Sequence, residues 1–360
     1  MNFSTIKSII IPEGNVSKIT RKSDNVVLWS AGGLPNIYQQ AEWVEAAVSV
    51  GAYIDLGFTF DTSARVEMEY WFFEGQTNAY PFGAVENSGS LRCCTSIPYS
   101  GELRTYVYGS NGSTYITSTF YSNDYGKSEF VFYFIKGGLQ GVNITQETSS
   151  TPNKSQVEFI MTSNLYLFAQ NYNGSPRFGQ ARRIGYFRYY DKTGICICDL
   201  VPCYRKTDGV IGMYDLARKM FFTNIGTGSF AIKTGNIIDT VGYTDGIRIS
   251  TSDGVDTRDE AGYTSTGMIT IPSGAKLVTS GVNFTNASYN KALIYYYAPN
   301  TEEFIGAYKD ALGTVGGQST IPITNDGNGN ITISNNLAKN PVKIRLCGYG
   351  SGANLSLIIE

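Results

Sequence analysis

Histidine is absent from this sequence of 360 residues. Without an imidazole the chain cannot build a Ser-His-Asp or Cys-His catalytic set, a histidine-ligated zinc site or a histidine pH switch. Cysteine is also scarce, with six residues and no Cys-x-x-Cys pair. We therefore expect the cysteines to be small buried apolar residues rather than metal ligands or members of a disulfide framework.

Charge is sparse too, because Asp, Glu, Lys and Arg make up only 16% of the chain and the formal net charge is −2. No run of Lys or Arg forms a basic stripe, so we expect no nucleic-acid partner. No apolar run reaches the length of a membrane span, so we expect no membrane insertion. The first residues do not resemble a secretory signal peptide, since the apolar run Ile9–Ile11 stops at Pro12. Export would then need another route, such as lysis.

Glycine, tyrosine and phenylalanine are plentiful, with 40, 26 and 19 residues respectively. This composition is typical of many short strands joined by tight turns. Segments such as Arg65–Phe73 and Ser128–Ile135 alternate or run apolar at strand length. The sequence therefore predicts an all-β fold with antiparallel sheets packed face to face. The only helix candidates are Ile37–Val48 and Tyr214–Lys219.

The length exceeds the ~250–300 residues at which single cores stop growing, so more than one domain is expected. Residues 1–31 form an N-terminal β-hairpin segment too small to bury a core of its own. Residues 36–233 are predicted to form a jelly-roll sandwich, and residues 236–360 a smaller C-terminal β-sandwich. Ala31–Pro35 is a plausible linker between the first two.

The most distinctive stretch is RYYDKTGICICDLVPCYRKTDGVIGMYDLARKMFFTNIGTGSFA, Arg188 to Ala231. Asp-Lys-Thr-Gly and Lys-Thr-Asp-Gly turns separate its apolar runs, which is a hairpin pattern. It resembles the end of the laminin-G-like, concanavalin-A-like sandwich domains of phage and prophage tail proteins. The segment YIDLGFTFDTSARVEMEYWF, at Tyr53–Phe72, resembles the opening of such domains.

Two further segments resemble parts of the same class of protein. The pattern IPEG.V..I....N.VLWS, within Ile11–Ser30, is similar to the leader that joins phage tail proteins to the particle. The pattern that begins YTDGIRIST at Tyr243 resembles a small C-terminal sandwich of phage tail and cell-surface binding proteins. These resemblances imply a virion protein that attaches to its partners through the N-terminal segment. They also imply a homo-oligomer, and resemblance to tail fibres implies a trimer.

One carboxylate pattern needs testing, because concanavalin-A-like sandwiches include glycosidases. Such enzymes place three carboxylates at alternate positions of one strand, since only every second side chain faces the cleft. Glu67 and Glu69 fit two of these positions, but the third is Trp71. A solvated strand face explains the two glutamates as well, and we expect no enzymatic activity.

Two acidic loops are candidates for calcium. Asp326–Asn330 starts like a Ca²⁺ loop, but Ile331 and Leu337 stand where glycine and glutamate are needed, so a hairpin turn is favoured. Asp253, Asp256 and Asp259, followed by Glu260, form a cluster that could bind Ca²⁺ or be a hydrated loop tip. No cofactor is otherwise expected.

Carbohydrate binding needs aromatic faces beside amide or carboxylate groups, and two segments supply them. One is Tyr99–Tyr125 and the other is Gln170–Ser175. Tyrosine is also a good strand former, so many of these rings could simply cover a sheet. The predicted contact residues are Tyr106, Tyr108, Tyr121, Asn123, Asp124, Tyr125, Asn171 and Tyr172.

Together these observations predict a phage or prophage tail-fibre or receptor-binding protein that attaches a virion to a bacterial surface glycan. It would be assembled in the host cytoplasm and act outside the cell. The alternatives are a structural virion component, such as a head fibre or tail decoration, and a glycoside hydrolase lacking the usual carboxylate triplet. Neither the glycan nor the sandwich that binds it follows from the sequence.

Overall fold

A computed structural model describes residues 18–20, 27–30, 33–47, 51–61, 63–72, 78–86, 91–97, 102–108, 115–121, 126–135, 138–150, 160–179, 182–250, 252–286, 291–292, 294–308, 322–326, 329–337 and 340–360. These residues are mostly strand, which confirms the predicted all-β class. The described helical segments are α1 (Ile238–Val241) and a 3₁₀ turn at Gly352–Asn354. None of the described helices could span a membrane. In the N-terminal segment, β1 (Lys18–Thr20) and β2 (Val27–Ser30) pair antiparallel, as the hairpin prediction requires.

The larger sandwich consists of two sheets. Its strands are β3 (Tyr38–Gln40), β4 (Trp43–Ala46), β5 (Ile54–Asp61), β6 (Arg65–Phe72), β7 (Ala79–Glu86), β8 (Leu91–Ile97), β9 (Glu102–Tyr108), β10 (Tyr115–Tyr121), β11 (Gly126–Ile135), β12 (Gly138–Asn143), β13 (Thr148–Ser150), β14 (Ile160–Leu167), β15 (Gln170–Tyr172), β16 (Ser175–Arg177), β17 (Arg182–Tyr190), β18 (Cys196–Arg205), β19 (Ile211–Asp215), β20 (Met220–Thr223) and β21 (Phe230–Lys233). Sheet I has the order β10-β9-β8-β7-β14-β5; β15 also pairs with β7, and β16 pairs with β15. Sheet II has the order β13-β12-β11-β6-β17-β18-β19-β20. In sheet II, β3 pairs with β18, and β4 pairs with both β17 and β21.

The core of this sandwich is aromatic and lies between the two sheets. The Phe82 ring of sheet I lies 5.4 Å from the Phe187 ring of sheet II, measured between centroids. Phe60 and Phe134 meet edge-on across the same space at 4.5 Å. All four side chains are buried. Because alternate residues of a strand face opposite sides, the remaining positions of each strand form the outer faces of the sheets.

Both helix predictions are wrong. The segment Ile37–Val48 contains β3 and β4 instead, because Val44 and Ala46 are fully buried and β4 pairs on both sides. Helix propensity is a weak preference that such tertiary pairing overrides. The segment Tyr214–Lys219 ends strand β19 and continues as a turn, which the Asp215 carboxylate holds in place.

A second group of sheets follows the larger sandwich. Its strands are β22 (Tyr243–Ile249), β23 (Asp256–Thr266), β24 (Ile269–Ile271), β25 (Lys276–Ser280), β26 (Thr285–Asn286), β27 (Lys291–Ala292), β28 (Ile294–Tyr297), β29 (Phe304–Tyr308), β30 (Ile323–Asn325), β31 (Ile331–Ser334), β32 (Val342–Tyr349) and β33 (Ser356–Ile359). Sheet III has the order β22-β23-β32-β28-β29, with β24 beside β32, and sheet IV has the order β30-β31-β25-β33. Strands β30 and β31 form the hairpin favoured over a Ca²⁺ loop. The predicted boundaries, residues 36–233 and 236–360, stay predictions.

The segment that joins the two sandwiches is bound to strand β33. The Thr234 amide donates to the Ile359 carbonyl at 2.8 Å, and the Ile237 amide donates to the Leu357 carbonyl at 2.9 Å. The Thr240 hydroxyl, in α1, donates to the Oε1 atom of Gln39 at 2.7 Å. The segment is therefore fixed against both sandwiches, and it borders the cleft described below.

The distinctive motif of Arg188–Ala231 stabilises turns. The Asp191 carboxylate accepts hydrogen bonds from the amides of Thr193 and Ile195, which closes the β17–β18 hairpin. The Asp208 carboxylate binds the Arg205 guanidinium through both oxygens and closes the β18–β19 hairpin. The turn-closing role of these side chains explains why the motif combines acidic residues with glycine.

Two further motif residues have similar roles, Asp215 at a buried position and Asn224 at a half-buried one. The Asp215 carboxylate is inaccessible to solvent and accepts hydrogen bonds from the Arg218 guanidinium and three backbone amides. The Asn224 side chain accepts from the amides of Tyr53 and Gly226 and donates to the carbonyls of Gly226 and Gly228. It thereby fixes the Gly-Thr-Gly loop against the start of β5.

Candidate functional site

The predicted tyrosine cluster lies on strands β9 and β10 at one edge of sheet I. The register places position 115 opposite 108, and position 121 opposite 102. Tyr106 and Tyr108 alternate along β9 with Leu103 and Thr105, which are buried. The side chains of Tyr106, Tyr108 and Tyr121 are not among those that the structure describes. Asn123, Asp124 and Tyr125 lie outside the described residues, so binding by this cluster stays a prediction.

The second predicted loop is held by its own side chains. Asn171 is buried, donates to the Asn164 carbonyl at 2.8 Å and accepts from the Gly174 amide at 2.8 Å. Its amide therefore shapes the β15–β16 turn. The Tyr172 ring is half-buried, and the Arg177 guanidinium covers one face with its carbon 3.4 Å from the ring centroid.

In the acidic loop of the second sandwich, the two described carboxylates have different partners. Asp256 pairs with the Arg345 guanidinium at 2.9 Å, and Asp253 accepts from the Val255 amide at 3.2 Å. No group of three potential metal ligands occurs among the residues that the structure describes, and the Asp259 side chain is not among them. Calcium binding there stays a prediction.

The cysteines with described side chains fit the expectation of apolar packing. Cys198, Cys203 and Cys347 are buried. Burial raises the pKa of the Cys203 thiol to about 12 and that of the Cys196 thiol to about 12. A thiol with such a pKa is a poor nucleophile at neutral pH.

A cleft of about 580 Å³ lies where the outer face of sheet II meets the segment that joins the two sandwiches. Its floor comes from strands β6, β11, β17 and β18, and its rim comes from the β3–β4 connection and residues 235–237. The lining residues are Gln39, Gln40, Ala41, Glu42, Glu69, Trp71, Lys127, Gly185, Tyr186, Arg188, Val201, Pro202, Gly235, Asn236 and Ile237. Its volume is in the range of small-ligand sites.

The floor of the cleft contains the carboxylate pattern noted in the sequence. Strand β6 buries Val66, Met68 and Tyr70 in the sandwich core, so Glu67, Glu69 and Trp71 share the outer face. On the neighbouring strand β11, Glu129 is directly opposite Glu69, and Lys127 is directly opposite Trp71. The alternation predicted from the sequence is therefore present, with an indole in the third position.

Glu69 is the most enclosed carboxylate of the cleft, with 9% of the residue exposed. Burial raises its pKa above the ordinary range, and the hydrogen bond and charge of Lys127, 3.1 Å away, oppose that rise only in part. Space for the carboxylate exists because residue 185 is glycine. A Cβ atom there would lie 2.0 Å from the Oε1 atom of Glu69. Gly185 also stands at a bulge in the pairing of β17 with β6.

Arg188 and its partners form a rigid wall of the cleft. The Arg188 Nε atom lies 2.9 Å from the Asp199 carboxylate, and its Nη1 atom lies 3.7 Å from Glu67. Burial lowers the pKa of Arg188, but Asp199 outweighs that effect and the pKa lies above its ordinary value. Glu67 also accepts a hydrogen bond from the Tyr190 hydroxyl at 3.2 Å. Through these contacts Arg188 braces β17 against β6 and β18.

Two aromatic side chains add apolar surface to the cleft. Trp71 is half-buried, and its indole nitrogen is inaccessible to solvent, close enough to the Glu69 carboxylate to oppose the rise in the pKa of Glu69. Burial raises the pKa of the half-buried Tyr186, so its hydroxyl stays protonated. With Glu42, Gln40 and Glu69 nearby, the cleft offers aromatic faces beside planar hydrogen-bonding groups. That combination suits the C–H faces and paired hydroxyls of a saccharide.

Sequence reasoning identified Glu67, Glu69 and Trp71 but missed the rest of the cleft. Lys127, Tyr186 and the Gln39–Glu42 segment come from separate parts of the chain, and only strand register brings them together. The strand alternation around Glu129 and Tyr186 could have indicated outward-facing positions. It could not have shown which strands are neighbours.

Comparison with known proteins finds no matching family model and no matching curated protein. Similar solved structures include domains LG4-5 of the mouse laminin alpha1 chain, 12% identical with a TM-score of 0.35, covering 97% of this chain and 86% of that one. A structure named NanB plus Optactamide is 10% identical with a TM-score of 0.33, covering 90% and 66%. The LG1-3 region of the laminin alpha2 chain is 8% identical with a TM-score of 0.32, covering 89% and 61%. At such low similarity, the sandwich assignment rests on the strand order given above.

Proposed function

We propose that this chain is a glycan-binding attachment protein of a phage or prophage tail, and that the glycan binds in the cleft of sheet II. The observation that carries the proposal is the meeting of Trp71 and Tyr186 with Glu69 and Glu42 in one open cleft. Saccharides are bound by aromatic faces together with carboxylate or amide groups. The described residues of the distinctive motif close turns, so the proposal rests on this cleft instead.

The placement on a virion rests on the sequence resemblances. Residues 1–31 would join the chain to other tail proteins, and the sandwiches would face the host surface. The particle would be assembled in the host cytoplasm and act outside the cell. A saccharide cleft of this size binds weakly by itself, so several copies per particle, for instance a trimer, would raise the overall affinity through effective concentration.

Binding is proposed to occur without hydrolysis, metal or cofactor. A glycosidase needs one carboxyl group to act as acid and a second to act as base or nucleophile. Glu69 has the raised pKa of an acid, but Glu67 is held by Arg65, Arg188 and Tyr190. A bound oligosaccharide that is cleaved by the purified chain would overturn this part of the proposal.

The test is retention of the purified full chain on bacterial cells and on a panel of cell-wall polysaccharides, with and without a chelator. Saturable binding to one glycan, lost in Trp71→Ala and kept in Tyr243→Ala, is the expected result. Tyr243 is a matched control, because it is an exposed aromatic residue of the second sandwich. Loss of binding in Tyr243→Ala alone would move the site to that sandwich, and chelator sensitivity would indicate an ion near Asp253.

Inhibition of phage adsorption by the purified chain tests the proposed biological role. Phage adsorption should fall when the wild-type chain is added in excess. The same excess of the Trp71→Ala variant should leave adsorption unchanged. A folded, oligomeric chain that binds no cell and no polysaccharide would favour a structural virion component instead.

A further inference from the structure

The positive charges of the cleft are already neutralised within the chain. Lys127 lies 3.1 Å from Glu69, and Arg188 contacts Asp199 at 2.9 Å and Glu67 at 3.7 Å. Arg65 is on strand β6, on the same outer face of sheet II, and its guanidinium lies 3.2 Å from Glu67. A phosphate, sulfate or carboxylate entering the cleft would therefore find its cations engaged. Binding it would require breaking one of these pairs.

Negative charge remains in excess around the same cleft. Glu42 lines the rim and Glu129 faces Glu69 across the β6–β11 pair, and neither forms an ion pair with any described residue. The charge of Glu129 also contributes to the raised pKa of Glu69, after burial. Carboxylates can accept strong hydrogen bonds from hydroxyl groups, so they bind sugar hydroxyls but repel anionic substituents.

From this charge arrangement we propose that the cleft selects saccharides without anionic groups and rejects polyanionic surface polymers. The inference rests on the proposed function and specifies its ligand class. Hydroxyl, N-acetyl and amino substituents are compatible with Glu42, Glu69 and the Trp71 indole. The anionic groups of phosphodiester-linked and uronate-rich chains would lose hydrating water in the cleft. They would find no unpaired Lys or Arg side chain there to compensate for that loss.

The experiment compares binding of defined polymers to the full chain by calorimetry at about 20 mM and about 150 mM salt. The uncharged probes are a β-glucan oligosaccharide and an N-acetylglucosamine oligomer, and the anionic probes are poly(glycerol phosphate) and hyaluronate. An uncharged probe should bind about tenfold or more tightly than either anionic probe, with little salt dependence. Trp71→Ala should abolish that binding.

Charge reversal gives a second, gain-of-binding test. Glu129→Lys should raise affinity for poly(glycerol phosphate) about tenfold at low salt, while Glu303→Lys should not. Glu303 is a matched control, because it is exposed on the second sandwich and both substitutions change the net charge equally.

The outcomes separate this inference from the proposed function. Tighter binding of an anionic probe, lost in Trp71→Ala, would overturn the ligand class and keep the glycan cleft. Retention of an uncharged probe that Trp71→Ala does not affect would overturn the cleft as the site and keep the attachment role. Failure of every probe and of whole cells would overturn both.

Discussion

The Lys127 ammonium lies 3.1 Å from the Glu69 carboxylate, across two neighbouring strands on the outer face of sheet II. Lys127 is half-exposed to solvent, whereas Glu69 is largely enclosed in the cleft. An exposed ion pair contributes little stability by itself. Its importance is positional, because it fixes the most enclosed carboxylate among the described cleft residues.

Gly185→Ala should displace that carboxylate. The new methyl group would overlap the position of the Glu69 Oε1 atom, which lies 2.0 Å from an ideal Cβ atom. We expect saccharide affinity to fall about tenfold, with a stability loss of about 1–3 kcal/mol. Calorimetry and chemical denaturation measure the two effects.

Two controls make this prediction specific. Gly33→Ala meets no atom within 4 Å and should change neither quantity. If the effect acts through Glu69, Gly185→Ala should cost no further affinity in a Glu69→Ala background. Additive losses in the double variant would contradict the account.

Glu69→Gln should change how stability depends on pH. The folded-state pKa of Glu69 is raised by burial, so the unfolded chain releases this proton at lower pH than the folded chain. The contribution of Glu69 to the free energy of unfolding is therefore largest below its ordinary pKa and declines as pH rises through the raised value. The free energy of unfolding of the variant minus that of the wild type should therefore be more positive at about pH 7 than at about pH 4. Urea denaturation at both values measures this, and an equal difference at the two pH values would refute it.

Glu86 should behave in the opposite sense. Its enclosed carboxylate accepts hydrogen bonds from the amides of Thr162 and Ser163 and from the Thr162 hydroxyl. Burial raises its pKa, but these bonds outweigh burial and the pKa lies below its ordinary value. Its stabilising contribution is then complete above the ordinary pKa and is lost as pH falls through the lowered one.

Glu86→Ala should destabilise the fold by about 2–3 kcal/mol at neutral pH, since three donors lose a charged acceptor. The exposed Glu303→Ala should change the free energy of unfolding by less than about 0.5 kcal/mol. Thermal and chemical denaturation provide both values. A Glu86→Ala variant as stable as the wild type would show that these hydrogen bonds contribute nothing net.

Asp215 tests the structural role of the distinctive motif. Asp215→Ala leaves the Arg218 guanidinium and the amides of Asp199 and Ala217 without their acceptor. Removing one partner of a buried ion pair costs about 3–5 kcal/mol. The exposed Asp239→Ala should cost less than about 0.5 kcal/mol. If Asp215→Ala instead abolished glycan binding with stability unchanged, the motif would have a direct binding role.

Strand prediction succeeded where the local pattern was strong. Ser128–Ile135 was expected to be a central strand, and β11 lies between β6 and β12 with Phe130 and Phe132 buried. The segment at Ile37–Val48 misled because Gln, Glu and Ala favour helix locally, whereas pairing of β4 with β17 and β21 decides its conformation.

The site was harder to predict than the fold. Glu69 and Trp71 are adjacent on one strand face, so their pattern was visible in the sequence. Tyr186 and Gln39 reach the same cleft only through long-range pairing of β17 with β6 and of β3 with β18. The motif of Arg188–Ala231 is distinctive because its turns depend on hydrogen bonds to particular acidic side chains, such as Asp191 and Asp208.

Fluorescence of Trp71 is the most direct test of the glycan cleft. The chain has three tryptophans, Trp29, Trp43 and Trp71, and Trp71 lines the cleft. Titration of the wild type with the polysaccharide that retains it should produce a saturable change in emission, and Trp71→Phe should abolish that change while remaining folded. The same change in Trp71→Phe, or binding without any change in the wild type, would contradict a saccharide in this cleft.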